Sequence, residues 1–182
     1  MQVLKPIDPN AATGKTKELL SVVEQRRRRI PNMIRLMANS PPILGAYLQF
    51  NEAFQAAKLT PKLRGLIAAA VSEINGCDYT LSTAMALGRQ EGLTEDELNA
   101  ARRLEANDPR AAAALRFAAK TVRERGHLSP SEVEGLRSAG FTDEEIVEII
   151  AAVALNVFRN YFNLIVGTEV DFPLVRTSHA GP

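Results

Sequence analysis

The chain has 182 residues, 46% apolar and 24% charged, which suits one compact domain or two small ones and excludes wholesale disorder, collagen-like and low-complexity classes. Lys plus Arg number 22 against 21 Asp plus Glu, so a formal charge of +1 gives no net field favouring nucleic acid or an anionic membrane. One cysteine, Cys77, and two histidines exclude an intrachain disulfide and a multi-cysteine zinc site, and no metal or cofactor is expected. Met1 to Asn10 carry no basic segment followed by an apolar run, so the reading is a cytoplasmic protein without a secretory signal.

In chain order the pattern predicts helices near 13–29, 31–39, 41–57, 61–75, 77–91, 94–104, 109–125, 130–138 and 142–166. Thr60-Pro61 reads as an N-cap followed by proline in the first turn. The apolar positions after it, Leu63, Leu66, Ile67, Ala70, Val71 and Ile74, fall on one face of a helix that Gly76 would stop. Thr94 with Glu97, Ser129 with Glu132 and Thr142 with Glu145 each match the capping box, and Asp108-Pro109 is a further cap. Gly92, Gly126 and Gly167 read as terminators. Ile146 to Phe158 is the most apolar stretch, but Glu148 and Asn156 interrupt it and it falls short of the ~20 apolar residues of a membrane span. Strand signals are thin, since Asn75-Gly76 joins two helical stretches.

The fold class is therefore all-α, a single domain. Residues 1–58 form an amino-terminal helical extension with its own apolar positions (Leu19, Leu20, Val23, Ile34, Met37, Ile43, Leu44, Tyr47, Leu48 and Phe54). Residues 59–170 are the core, and 171–182 lack periodicity and are expected to run extended over a neighbouring surface or to be loose.

Several segments carry a resemblance. Ser72-Glu-Ile-Asn-Gly-Cys-Asp-Tyr-Thr-Leu-Ser82, followed by Ala86-Leu-Gly88, resembles the alkylhydroperoxidase D and carboxymuconolactone decarboxylase family. Leu59-Thr-Pro-Lys-Leu-Arg64 is similar to that family's lead-in helix. Ser138-Ala-Gly-Phe-Thr-Asp-Glu-Glu-Ile-Val-Glu-Ile149 is similar to its later capped helix. Asn160-Tyr-Phe-Asn163 and Gly167-Thr-Glu-Val-Asp-Phe-Pro173 resemble its carboxy-terminal end. Pro31-Asn-Met33 and Ala38-Asn-Ser-Pro41 match the amino terminus of the peroxidase-related branch. The resemblance implies an alkylhydroperoxidase D-like helical fold that assembles as a homo-oligomer, a trimer or hexamer, and an antioxidant role acting on a small organic hydroperoxide. It also implies a C-x-x-C pair at a helix start, a histidine four residues beyond the second cysteine and a glutamate on the preceding helix. In that arrangement the second cysteine attacks the peroxide and the first resolves the sulfenic acid to a disulfide.

This chain departs from that pattern at the chemical positions. Cys77 matches the first, resolving cysteine; the second is Thr80, the histidine position is Ala84 and the glutamate position is Gly65. A threonine hydroxyl is not oxidised by peroxide and forms no disulfide, so two-cysteine peroxidase chemistry is expected to be lost or limited to a one-cysteine form. Cys77 reads either as a redox thiol near a helix start or, the reading favoured here, as a small buried hydrophobe. Asp78 and Glu73 would disfavour its thiolate if their carboxylates approach the sulfur.

Other polar residues have bland readings beside functional ones. Arg26 to Arg29 reads as the solvated end of a helix. His127 reads as a loop residue, His179 is assigned nothing, and Glu144, Glu145 and Glu148 read as a capped first turn facing outward. Asn156, Asn160 and Asn163 share a helix face and either line a polar pocket or satisfy backbone groups. Tyr79, Asn156 and Asn160 are the candidate binding residues. The competing function classes are an oligomeric helical scaffold, a binder of a small hydrophobic ligand, and a lactone decarboxylase-like enzyme. Alanine-rich runs at 68–70, 111–114 and 151–154 permit close helix approach, within or between subunits.

Overall fold

Local signals in the sequence are realised as nine α-helices among the described residues. The computed structural model describes residues 2–178; His179 lies outside them. The helices are α1 (Gly14–Arg27), α2 (Asn32–Met37), α3 (Pro41–Ala53), α4 (Pro61–Ile74), α5 (Asp78–Gln90), α6 (Glu95–Arg102), α7 (Pro109–Arg123), α8 (Pro130–Ser138) and α9 (Asp143–Val166). Thr60 caps α4 by accepting from the Leu63 N–H, and Asp108 caps α7 by accepting from that of Arg110. Thr94 with Glu97 and Thr142 with Glu145 close complete capping boxes at α6 and α9. The third expected box does not form. Ser129 Oγ pairs with Ser131 Oγ instead, and the Glu132 carboxylate is taken by Lys120 of α7.

Helix α4 is the axis of the molecule, packing against α5, α6, α7 and α9. It is buried on more than one face: Ala69, Ser72 and Glu73 are covered as well as Leu66, Ile67, Ala70 and Val71, while Ile74 is half-buried. Small residues make this possible, because a helix surrounded by four others can bring only slim side chains to each contact. Ala111 and Ala114 of α7 and Ala152 of α9 are likewise buried, so most of the alanine runs are used within the chain.

The amino-terminal helices pack through α1 on α3 and α2 on α3, with Leu20, Val23, Ile34, Met37, Leu44, Tyr47 and Phe54 buried. Ile43, by contrast, faces outward. Helix α9 is 24 residues long, and by length and composition it could cross a membrane, unlike the shorter apolar stretch within it. It instead packs on α4, α5 and α7 with Ile146, Ile149, Val153 and Leu155 buried. Gly167, at φ 68°, ends it in the left-handed conformation that glycine adopts without strain.

The glutamates of α9 do more than face outward. Glu145 is buried and accepts from Arg110 at 2.5 Å, while Glu148 accepts the backbone N–H groups of Lys58 (3.0 Å) and Leu59 (2.7 Å). The segment after Gly167 runs extended over the start of α5: Val175 and Ser82 exchange hydrogen bonds, and Asp78 accepts from the Thr177 N–H at 2.8 Å.

Candidate functional site

The site begins where the chain turns from α4 into α5. Gly76, at φ 66°, permits the reversal, and Cys77 becomes the N-cap of α5. Its side chain is 1% exposed, and its Sγ lies 3.3 Å from Thr80 Oγ1 one helical turn on. The spacing of a C-x-x-C pair is thus kept, with a hydroxyl where the second sulfur would stand. Asn163 of α9 donates to Thr80 Oγ1 at 3.3 Å.

Burial pushes the Cys77 thiol above its ordinary value; the bonds from Thr80 and Asn160 pull the other way and lose. The carboxylates that the sequence reading set against the thiolate are turned elsewhere. Glu73 pairs with Arg102 at 2.8 Å and accepts the Ser178 N–H at 2.6 Å, and Asp78 holds Thr177 and Arg176. Desolvation, not like charge, is what keeps this sulfur protonated.

Beside the Cys77–Thr80 pair lies a cavity of about 200 Å³. Thr80, Ala84 and Gly65, the positions that the resemblance assigns to the second cysteine, the histidine and the glutamate, all line it. Cys77 itself is not part of the wall. Gly65 also lets α4 approach α5 closely: a Cβ there would stand 3.3 Å from Leu93 Cδ1 and 3.8 Å from Gly88 Cα. The rest of the lining is mainly apolar, with Met33, Ile34, Ala68, Leu87 and Phe172 among it. Tyr79 lines the wall, packs edge-on against Phe172 and donates no charge, since burial first of all drives its phenol far above the ordinary range. Its oxygen accepts the Met33 N–H at 3.2 Å.

Charged groups also reach the cavity. Arg27, Arg64, Arg159 and Glu91 are on its wall. Arg64 donates through Nη1 to the carbonyls of Phe54 (3.0 Å) and Leu59 (2.6 Å) and lies over the Phe54 ring. Arg159 donates from Nε to Tyr47 Oη at 2.9 Å, from Nη1 to Asn156 Oδ1 at 3.3 Å and from Nη2 to Asn51 Oδ1. Burial lowers the Arg64 pKa, although Glu91 and Glu148 oppose the shift.

The candidate binding residues separate. Tyr79 and Asn156 are on the cavity wall, and Asn156 also bonds the Ala152 carbonyl. Asn160 is fully buried behind it, donating to Ser72 Oγ and accepting from Asn75. Asn163 bonds Thr80 and Met33 Sδ, so it supports the cysteine's neighbour. His127 is exposed in the loop after α7. Of the arginine run at the end of α1, Arg26 pairs with Glu52 and Arg29 lies over Phe172, while Arg27 borders the cavity. Among the described residues no group of three or more His, Cys, Asp or Glu is placed to hold a metal ion.

Sequence reasoning missed Arg64, Arg159, Tyr47 and Phe172. A signal existed for Arg159, which sits three residues after Asn156 on the face already singled out.

Residues 41–120 match the carboxymuconolactone decarboxylase family, a span that holds α3 to α6, most of α7, and Gly65, Cys77, Thr80 and Ala84. Over that span the chain is similar to the family. Its match begins on α3, inside the amino-terminal extension. No curated protein matches the chain. Among solved structures, an uncharacterised peroxidase-related protein with an alkylhydroperoxidase AhpD core from Ralstonia eutropha JMP134 superposes with a TM-score of 0.84 at 23% identity, covering 93% of this chain and 92% of its own. A second uncharacterised peroxidase-related protein, from Silicibacter sp. TM1040, gives 0.79 at 23% identity over 92% and 94%. A cysteine-to-alanine variant of the debrominase Bmp8, in complex with 2,3,4-tribromopyrrole, gives 0.79 at 22% identity over 94% and 92%. These likenesses establish the alkylhydroperoxidase D-like helical fold.

Proposed function

We propose that this chain binds a small, mainly apolar molecule in the cavity beside Thr80 and has lost two-cysteine peroxidase chemistry. The observation that carries the reading is the convergence of Thr80, Ala84 and Gly65 on one cavity wall. Histidine at 84 and glutamate at 65 would reach into this space, where a methyl and a hydrogen leave it open. The sulfur that remains is buried, protonated and off the wall, so an incoming peroxide meets no thiolate. A similar helical shell in the debrominase neighbour was crystallised with a halogenated pyrrole, which supports a ligand of that size.

The same reading extends to assembly. Val147, Ile150, Phe158, Tyr161 and Ile165 form an exposed apolar face on α9, with Ile165 73% exposed. A stripe of this kind on a core helix suits contact with further copies of the chain, in a trimer or hexamer. A lone unpaired cysteine suits a reducing compartment, and the cytoplasm is the proposed setting.

The test is a thermal-shift screen of hydroperoxides, lactones, halogenated heterocycles and small hydrophobic acids. A ligand at a hundred times its Kd stabilises the fold by about 2.7 kcal/mol, so a true ligand class will raise Tm measurably. Failure of all four classes to move Tm would overturn the binding function.

A further inference from the structure

We infer that the cavity takes its ligand as a carboxylate, with Arg64 and Arg159 as the groups that receive the acid; this rests on the ligand-pocket reading above. Half of the fourteen other arginines are neutralised by a carboxylate among the described residues. Arg26, Arg89, Arg102, Arg103, Arg110, Arg137 and Arg176 each pair with a carboxylate. Arg64 and Arg159 line the cavity, are half-buried, and among the described residues pair with none. Their partners are neutral oxygens: carbonyls for Arg64, and a phenol and two amides for Arg159.

Those contacts orient the guanidinium groups without neutralising them. A guanidinium has five N–H donors in a planar fork that matches a carboxylate. Arg64 spends only Nη1, leaving Nε and Nη2 without a hydrogen bond among the described residues. Burial has already lowered its pKa, so its charge is partly desolvated with no anion in direct contact. An anion in the cavity would compensate that cost. Over the whole wall three arginines, Arg27, Arg64 and Arg159, stand against one glutamate, Glu91. The apolar remainder would take the body of the molecule, so the ligand is a compact hydrophobic acid small enough for about 200 Å³.

Benzoate and its neutral isostere benzamide test this by calorimetric titration. Wild-type protein is expected to bind benzoate at least tenfold more tightly than benzamide, with an affinity that falls as salt rises. Arg159→Gln and Arg64→Gln should each bring the preference below about threefold, and Arg64→Lys should restore part of it. Ala84→Leu, which fills the cavity, should weaken both probes together. Equal binding of benzoate and benzamide, both blocked by Ala84→Leu, would overturn the carboxylate inference and leave the pocket reading standing. An undiminished preference in both glutamine variants would overturn the assignment of the arginines. Binding of neither probe would also defeat the inference, and the pocket reading would fall with it only if the thermal-shift screen is flat as well.

Discussion

Introducing a second sulfur at position 80 is the most direct perturbation of the site. In Thr80→Cys the new Sγ would start near the present Oγ1, 3.3 Å from Cys77 Sγ. A disulfide needs about 2.05 Å, so roughly 1.2 Å must be closed, part of it by the longer C–S bond and the rest by side-chain rotation. Chain-entropy arithmetic for a four-residue loop gives about 2 kcal/mol of stabilisation. For a chain of this size that is about 4–8 °C in Tm. The substitution also removes the hydroxyl that accepts from Asn163, a loss of about 1 kcal/mol. That loss is common to both redox states, so comparing the oxidised and reduced forms of one variant isolates the cross-link. Thiol titration of denatured Thr80→Cys should fall from two groups to none after oxidised glutathione, and calorimetry with and without reductant should show the Tm difference. Two thiols that still titrate fully would refute the claim that Thr80 occupies the place of the second sulfur. Adding Ala84→His supplies a base on the same wall, and the double variant should then form its disulfide on exposure to peroxide. Gly65→Glu completes the relay at some cost, because its Cβ would press on Leu93.

Two further outcomes are expected. Glu73 is buried, and although desolvation pushes its pKa up, the Ser178 N–H and Arg102 together hold it below the ordinary carboxylate value. Its contribution is therefore present above about pH 4.3 and is lost as pH falls through the lower folded value. Glu73→Gln should cost about 3 kcal/mol at pH 7, the low end for a one-sided break because Arg102 is 18% exposed and keeps its bonds to Asn99 and Arg176. The gap between variant and wild type in urea titrations should narrow below pH 4; a gap that widens would contradict the sign. Tyr161→Glu, on the exposed face of α9, should shift the protein from oligomer to monomer in light scattering without lowering its helicity. A wild-type protein that is already monomeric at working concentration would remove the assembly proposal.

Much of this architecture is written locally, and for that reason it is legible. Thr60, Thr94, Asp108 and Thr142 cap the helices they precede because a side-chain oxygen and an orphan N–H meet within one turn. Ser129 has the same local pattern and does not cap, because Lys120 from another helix claims Glu132. Glu148 reads as an outward residue of a first turn, yet it receives two N–H groups from the loop ahead of α4. Thr80 and Ala84 were singled out through the family resemblance and their spacing from Cys77, and both line the cavity. That Gly65 completes the same wall depends on how α4 crosses α5, which no single segment encodes. Arg64 and Arg159 were hidden for the same reason: each is an ordinary helix-surface arginine until the cavity between the helices gives it a role.

Peroxide turnover by the lone thiol decides the central matter. Consumption of cumene hydroperoxide with an excess of external thiol should be identical for the wild type and Cys77→Ser, and indistinguishable from the rate without protein. A wild-type rate above that background that vanishes in Cys77→Ser would mean that the buried sulfur reaches the peroxide after all, and the account of a pocket emptied of redox chemistry would be wrong.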